Sequence, residues 1–358
     1  MVTGAGGSIG SHLVRRLLTM RPPRIVLFDI SEAALHARMM TLGDLAGRAG
    51  IELVAVLGSV ADHAQVQRAL LRHGVQIIFH AAAYKHVHLV EGNARAALAN
   101  NVLGTRVLAG AAEGCGVNRL ILVSSDKAVF PANVMGASKR LSELIIQDFA
   151  SRSGGTVHAI ARFGNVLGSS GSVLPIFRRQ VRRGGPLTVT DPDATRYFMR
   201  MRDAVTRLLS VGHIARGGEI FVFDMGPPVR IGDLARRVIT DAGLRARDSL
   251  TPDGEIAIRV IGLRPGEKRH ESLTVSGRMR PTACAGIFTA DDPRLCEFDL
   301  AAMLRAVRRL VEGTDGEEVL TALRPWIEGA ADDTTYGSRL ITRADARTGV
   351  RTEAMTEG

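Results

Sequence analysis

Lysine is scarce in this sequence. Of 46 basic side chains only four are lysines, Lys85, Lys127, Lys139 and Lys268. Much of that bias is surface drift from one cation to the other. Arginine, however, never gives up its proton in a protein, whereas lysine can. The surviving lysines are therefore candidates for sites that arginine cannot serve. Cysteine is scarce too: Cys115, Cys284 and Cys296 are widely spaced, which excludes a disulfide framework and a zinc site, leaves no metal to expect, and suits a reducing compartment. Aromatic residues make up only 4% of the chain. None is interleaved with the arginines of 178–183, 236–247 and 305–309, so the net charge of +10 is not read as a nucleic-acid surface. No run of about 18 uncharged apolar residues occurs, so no membrane span is expected. Met1 leads straight into a glycine loop, which is not the pattern of a secretory signal.

What is present is a core and an alternation. At 358 residues and 46% hydrophobic, the chain can bury one large domain or two modest ones. Apolar, β-rich runs at 24–29, 51–57, 76–80, 119–124 and 156–162 alternate with amphipathic stretches near 8–20, 31–47, 62–73, 91–113 and 133–152. Strand–helix alternation of this kind predicts an α/β fold with a doubly wound parallel sheet. After residue 163 it loosens into short strands such as 219–224 and helices near 231–242 and 298–312. The expected division is a Rossmann-type domain over 1–163, a smaller substrate-binding lobe over 164–328 interleaved with the sheet, and a mobile polar tail over 329–358. Only Met1 to Thr3 precede the glycine loop, so the first strand reads as clipped: either the start is misassigned or this is a catalytic part of a longer chain.

The loop TGAGGSIG, residues 3–10, places Gly4, Gly7 and Gly10 between a strand and a helix. That spacing permits a tight turn, close backbone approach to a pyrophosphate, and close helix–strand packing. Asp29 ends the next strand 19 residues after Gly10, where a carboxylate can hold the ribose hydroxyls of a dinucleotide and would repel a 2′-phosphate. NAD is the expected cofactor. Its other expected contacts are Ser8 and Ile9 at the helix start, Ser31, Ser59 and Val60 near the adenine, Ala81, Ala82 and Ala83 along the cleft, and Asn101.

Ser125, Asp126 and Lys127 follow the run RLILVS, at the strand end where open α/β sheets bind ligands. An adjacent Asp–Lys is ordinarily a solvated turn; here it competes with that position and with the scarcity of lysine. Met135, Ser138 and Lys139 share a helical face at spacings of three and four. None of the three tyrosines, Tyr84, Tyr197 and Tyr336, has a lysine four residues later. The tyrosine–lysine pair usual in dehydrogenases of this architecture is missing, and Met135 stands in the tyrosine's place as a packing residue.

Taken together, GAGGSIGS, FHAAAYKHV, NNVLGT, SSDKAV, NVMGASKR, ARFGNVLGSSGSVLPIF, TRYFM and GLRPGEK resemble the polysaccharide-biosynthesis dehydratases. These are extended short-chain dehydrogenases that act as UDP-N-acetylglucosamine 4,6-dehydratases. The resemblance runs in order over residues 1–275 and is to the methionine branch; His88 in place of a proline and the basic MRMRDAV segment depart from the pattern. It implies oxidation of sugar carbon 4 by NAD, loss of water across carbons 5 and 6, and return of the hydride to carbon 6. Lys127, assisted by burial and by Lys139, would remove the carbon-5 proton, and Asp126 would protonate the departing hydroxyl. Lys139 would hold the nicotinamide ribose, and Ser125 or a water would help deprotonate the 4-hydroxyl. Asn165, Arg196 and Arg264 would meet the nucleotide diphosphate, Glu267 the uridine ribose, and Lys85 and His86 would roof the sugar. The alternatives are a UDP-sugar 4-epimerase and a non-catalytic nucleotide-binding protein. The resemblance further implies a cytoplasmic chain, which in many members lies behind a membrane anchor; a homo-oligomer is expected.

Overall fold

The computed structural model describes residues 1–247, 251–313, 318–327 and 340–341. Its frame is a nine-stranded sheet. The first six strands in the chain are β1 (Val2–Thr3), β2 (Arg24–Asp29), β3 (Glu52–Leu57), β4 (Ile77–His80), β5 (Arg119–Val123) and β6 (Val157–Arg162). They run parallel in the order β3-β2-β1-β4-β5-β6, followed by the strand Ile220–Phe223. The strands Ile287–Ala290 and Met279–Pro281 close that edge antiparallel. The strand order reverses at β1, which pairs with β2 on one side and β4 on the other, so the crevice that open α/β sheets use for ligands lies at its carboxyl end. This is the extended short-chain dehydrogenase fold.

The strands behave as the sequence pattern requires. Residues 25–28 of β2 are all buried, as expected of a parallel strand covered on both faces. Two apolar clusters lie on the two sides of the sheet. The helices α1 (Ser8–Leu18), α2 (Glu32–Ala49) and α3 (His63–His73) follow the first three strands. Ser31 and Asp62 cap the latter two by accepting from the backbone N–H of Ala34 and Gln65. The amphipathic stretch 91–113 is not one helix. It divides into Val87–Glu91, Ala94–Ala97, a π-helical turn at Leu98–Leu103, and Gly104–Gly114. Beyond residue 163, a third cluster built on Phe177, Leu187, Ile231, Ile239 and Ile256 forms a separate small core. Of the expected tail, only Leu340–Ile341 falls among the described residues, paired with Arg294–Leu295; the rest lies outside them.

The helix Val134–Arg152 is the most buried in the molecule: every residue from Val134 to Phe149 is inside. Its polar side chains must therefore find partners within the protein. Glu143 accepts from Ser124 Oγ at 2.7 Å, from Arg162 Nε at 2.9 Å and from a second Arg162 nitrogen at 2.6 Å, and pairs with Arg140 at 3.2 Å. Arg162 reaches Asp292 at 2.5 Å, and Asp292 accepts from the backbone N–H of Val275 and Ser276. One buried ionic chain thus ties β5, β6, this helix and the segment 271–276 together.

Candidate active site

The loop between β1 and α1 turns at Gly4, whose φ is +64°. A Cβ there would lie 2.7 Å from the Ala82 backbone nitrogen, and one at Gly10 would lie 2.2 Å from the Gly4 carbonyl oxygen. The loop therefore packs backbone against backbone, both on the exit of β4 and on α1. Gly7 caps α1 without a side-chain hydrogen bond, leaving its first N–H groups for an anion. This cradle fits a dinucleotide pyrophosphate.

Asp29 accepts from Gly6 N–H at 2.8 Å through one oxygen and from Ser31 N–H at 2.9 Å through the other. It braces the loop and the start of α2, and a carboxylate has lone pairs to spare for ribose hydroxyls. Ser59 holds the turn after β3 by accepting from Ala61 N–H; Val60 is buried in the core, and Ile9 packs on the opposite cluster. Ala81 and Ala82 lie against β1, their N–H groups donating to the Thr3 carbonyl and hydroxyl. Ala83 continues that segment. Asn101, from the π-helical turn, clamps the Tyr84 backbone in both directions and donates to Ser138 Oγ at 2.9 Å. It braces the wall of the cleft. His80 lies between the hydroxyls of Thr3 and Thr105 at 2.7 and 3.0 Å; burial, with Lys139 adding to it, pushes its imidazole down to about 3, so it stays neutral.

Beyond β5 the chain makes a 3₁₀ turn over Asp126–Ala128, with Ser125 as its cap. The Asp126 side chain is fully buried. Its Oδ1 accepts from Ser125 Oγ at 2.8 Å and from Lys127 Nζ at 3.0 Å, while the buried Oδ2 has no partner. Lys127 Nζ also donates to Asn165 Oδ1 at 3.1 Å. Ser125, Asp126, Lys127 and Asn165 therefore form one hydrogen-bonded unit. Lys139 reaches the same strand end from its helix, donating to the Val123 carbonyl at 3.1 Å. Burial lowers its ammonium to about 8, against the opposing pull of Glu143. The groups paired with Lys127 Nζ are the carboxylates of Asp126 and Glu271 and the amide of Asn165.

Met135 is buried in the core, on the helix that carries Lys139. A volume-conserving swap is tolerated there, so Met135→Leu is expected to change stability by less than about 1.5 kcal/mol and to keep most of the activity. A melting curve and a turnover assay check both.

The residues expected around the substrate divide into two groups. Lys85 Nζ donates to the Ser170 carbonyl at 2.9 Å, and Ser170 N–H donates to Ser8 Oγ at 3.0 Å, so the segment 168–172 lies across the start of α1. His86 packs on Gly171, where a Cβ would stand 2.5 Å from its ring. Arg196 and Glu267 come together elsewhere, 3.3 Å apart. Arg196 is buried and spends its donors on the carbonyls of Thr195, Lys268 and Arg269, so it shapes this wall. Arg264 is exposed, its backbone N–H on Glu267 Oε2. The sequence reading singled out Lys268 without giving it a role, and it missed Glu271. Lys268 Nζ donates to the Val129 carbonyl at 2.7 Å and stands 3.1 Å from Glu271 Oε2, with Lys127 Nζ 3.9 Å from Oε1 of the same carboxylate. The scarcity of lysine pointed to Lys268; nothing comparable pointed to Glu271.

Residues 1–291 match the family model described as polysaccharide biosynthesis protein. The chain belongs to that family. It is 41% identical over 281 residues to the capsular polysaccharide biosynthesis protein CapD of Staphylococcus aureus, covering 78% of this chain and 46% of that protein. The chain thus spans less than half the length of that relative. UDP-glucose 4-epimerase of Rickettsia rickettsii is 36% identical over 283 residues, 78% of each chain. Among solved structures, a double mutant of DesIV, the dTDP-glucose 4,6-dehydratase of Streptomyces venezuelae with NAD and DAU bound, superposes with a TM-score of 0.65 at 26% identity. That match covers 76% of this chain and 87% of the other. Among the described residues, no helix is long and apolar enough to cross a membrane.

Proposed function

We propose that this chain is the catalytic part of an NAD-dependent 4,6-dehydratase acting on UDP-N-acetylglucosamine, with the cofactor recycled within each turnover, in polysaccharide biosynthesis. The observation that carries the reading is the hydrogen-bonded Ser125–Asp126–Lys127 unit at the carboxyl end of β5, with Met135, which offers no proton, in the tyrosine's sequence position. The cradle of Gly4, Gly7 and Gly10 with Asp29 and Lys139 would hold NAD. The chemistry that bound NAD supplies is reversible storage of a hydride, from sugar carbon 4 and back to carbon 6.

The chain's own residues move protons. The 4-hydroxyl gives its proton to Ser125 Oγ, whose own proton passes along the 2.8 Å bond to Asp126 Oδ1. Lys127, entering unprotonated, takes the proton from carbon 5, which the new 4-ketone has acidified. Asp126 hands its proton to the departing 6-hydroxyl, the carbon–oxygen bond breaks, and water leaves. Lys127 then returns a proton to carbon 5. Both groups end as they began, so the sequence balances over one turnover.

A second reading is a UDP-sugar 4-epimerase, favoured by the Rickettsia relative. The missing tyrosine and the Asp–Lys pair after β5, with Asp126 buried, support the dehydratase. Incubation with UDP-N-acetylglucosamine and NAD, read by product mass, tests the proposal: loss of one water is expected. An isomer of equal mass would favour the epimerase, and no change would favour a binding protein. For the cofactor site, Asp29→Ala frees both the glycine loop and the start of α2. NAD affinity is expected to fall at least about tenfold, with little change in UDP-sugar affinity, by titration of each ligand; equal NAD affinity in variant and parent would overturn that assignment.

A further inference from the structure

Glu271 is a buried carboxylate whose surroundings are those of a working group. Its side chain is 4% exposed. Its Oε1 lies 3.9 Å from Lys127 and 4.0 Å from Arg196, and its Oε2 lies 3.1 Å from Lys268 without the alignment of a hydrogen bond. A buried carboxylate is costly unless cations face it. Here Arg196, from the strand Thr195–Arg196, and Lys268, from its loop, face it, and Lys127 reaches it from a third segment, the turn after β5. The charged groups around Lys127 are accordingly Asp126 and Glu271, with Lys268, Arg196 and its partner Glu267 behind them.

We propose that Glu271 is the positioning residue for Lys127, the fixed counter-charge for the ammonium that forms when Lys127 takes the carbon-5 proton. The inference rests on the dehydratase reading and deepens it. At rest Asp126 is a carboxylate, and its Oδ1 accepts from Lys127 Nζ at 3.0 Å. During elimination Asp126 carries the proton destined for the 6-hydroxyl and is neutral. Glu271 is then the carboxylate left facing Lys127. It is held from behind by Lys268, which is itself anchored on the Val129 carbonyl, and it touches neither a proton in flight nor the bond that breaks. A charge fixed before the reaction stabilises the transition state without reorganising. The carbon-4 oxidation makes no use of it.

Glu271→Gln keeps the shape and removes the charge, so it separates these steps. The elimination is expected to slow about five- to a thousandfold, the range set by Coulomb energies near 4 Å between water-like and protein-like dielectrics. Carbon-5 hydrogen exchange with deuterated solvent slows by the same factor. The spectroscopic signature is accumulation of reduced nicotinamide during turnover, because carbon-4 oxidation continues while elimination lags. KM stays near the parental value, and Glu271→Asp recovers part of the rate by restoring the charge one methylene further off. Parental elimination in Glu271→Gln would overturn the inference, as would an equal fall in oxidation and elimination. Misfolding of both the Gln and Asp variants would make Glu271 a folding residue and overturn it equally. Failure of the parent protein to release water from UDP-N-acetylglucosamine would sink the dehydratase reading instead, so the two failures are distinguishable.

Discussion

Lys127→Arg is expected to leave a folded protein that binds cofactor and does not turn over. The guanidinium puts a positive charge where Asp126, Asn165 and Glu271 surround the side chain, so the local contacts survive. It cannot lose its proton and so cannot accept one from carbon 5. A general base contributes roughly 10²–10⁴ to a rate, and the loss should be of that order or larger. Lys127→Ala should be no more active. Turnover, carbon-5 solvent exchange and NAD titration together check the point. An arginine variant working near the parental rate would make Lys127 a charge only and would move the search for the base to Asp126 or a bound water.

Arg162→Leu is expected to cost about 3–5 kcal/mol of stability, the usual effect of stripping one partner from a buried ionic group. Arg162 is fully buried, and its loss leaves Glu143 with Arg140 and Ser124 and leaves Asp292 with backbone N–H groups and Ser276 Oγ alone. The same network makes stability depend on pH. Burial raises the Asp292 carboxyl, but Arg162, with Arg140 and the Ser276 N–H, more than offsets this and holds it below the ordinary value. A group depressed in the folded state contributes stability that is fully present above its unfolded value and is lost as pH falls through the folded one. The parent should therefore weaken on the acid side of the carboxylate range, and Arg162→Leu should lose much of that slope. Urea midpoints measured across that range test both; a midpoint unchanged by the substitution would mean that the pair is compensated elsewhere.

The sheet was largely legible because parallel strands are short apolar runs and their ends are marked. The run RIVLFD became β2 residue for residue, and Asp29 stands at its end as expected. The stretch 91–113 was not legible. A π-helical turn at Leu98–Leu103 answers to a tertiary need, bringing Asn101 onto the Tyr84 backbone, and helical periodicity carries no sign of it. In the site, Ser125, Asp126, Lys127 and Lys139 could be placed because they belong to one strand end and the helix after it. Glu271 could not, since its meeting with Lys127 depends on the chain returning after more than a hundred residues. Arg196 shows the converse. Its residue type suits a diphosphate, yet local carbonyls occupy it, and only the fold could reveal that.

The fate of a label at sugar carbon 4 tests the dehydratase mechanism most directly. UDP-N-acetylglucosamine deuterated at carbon 4 is incubated with the protein and NAD, and the product is read by mass and by nuclear magnetic resonance. The predicted result is a 4-keto-6-deoxy product, lighter by one water, with the deuterium on carbon 6. Deuterium returned to carbon 4 in a product of unchanged elemental composition would contradict it.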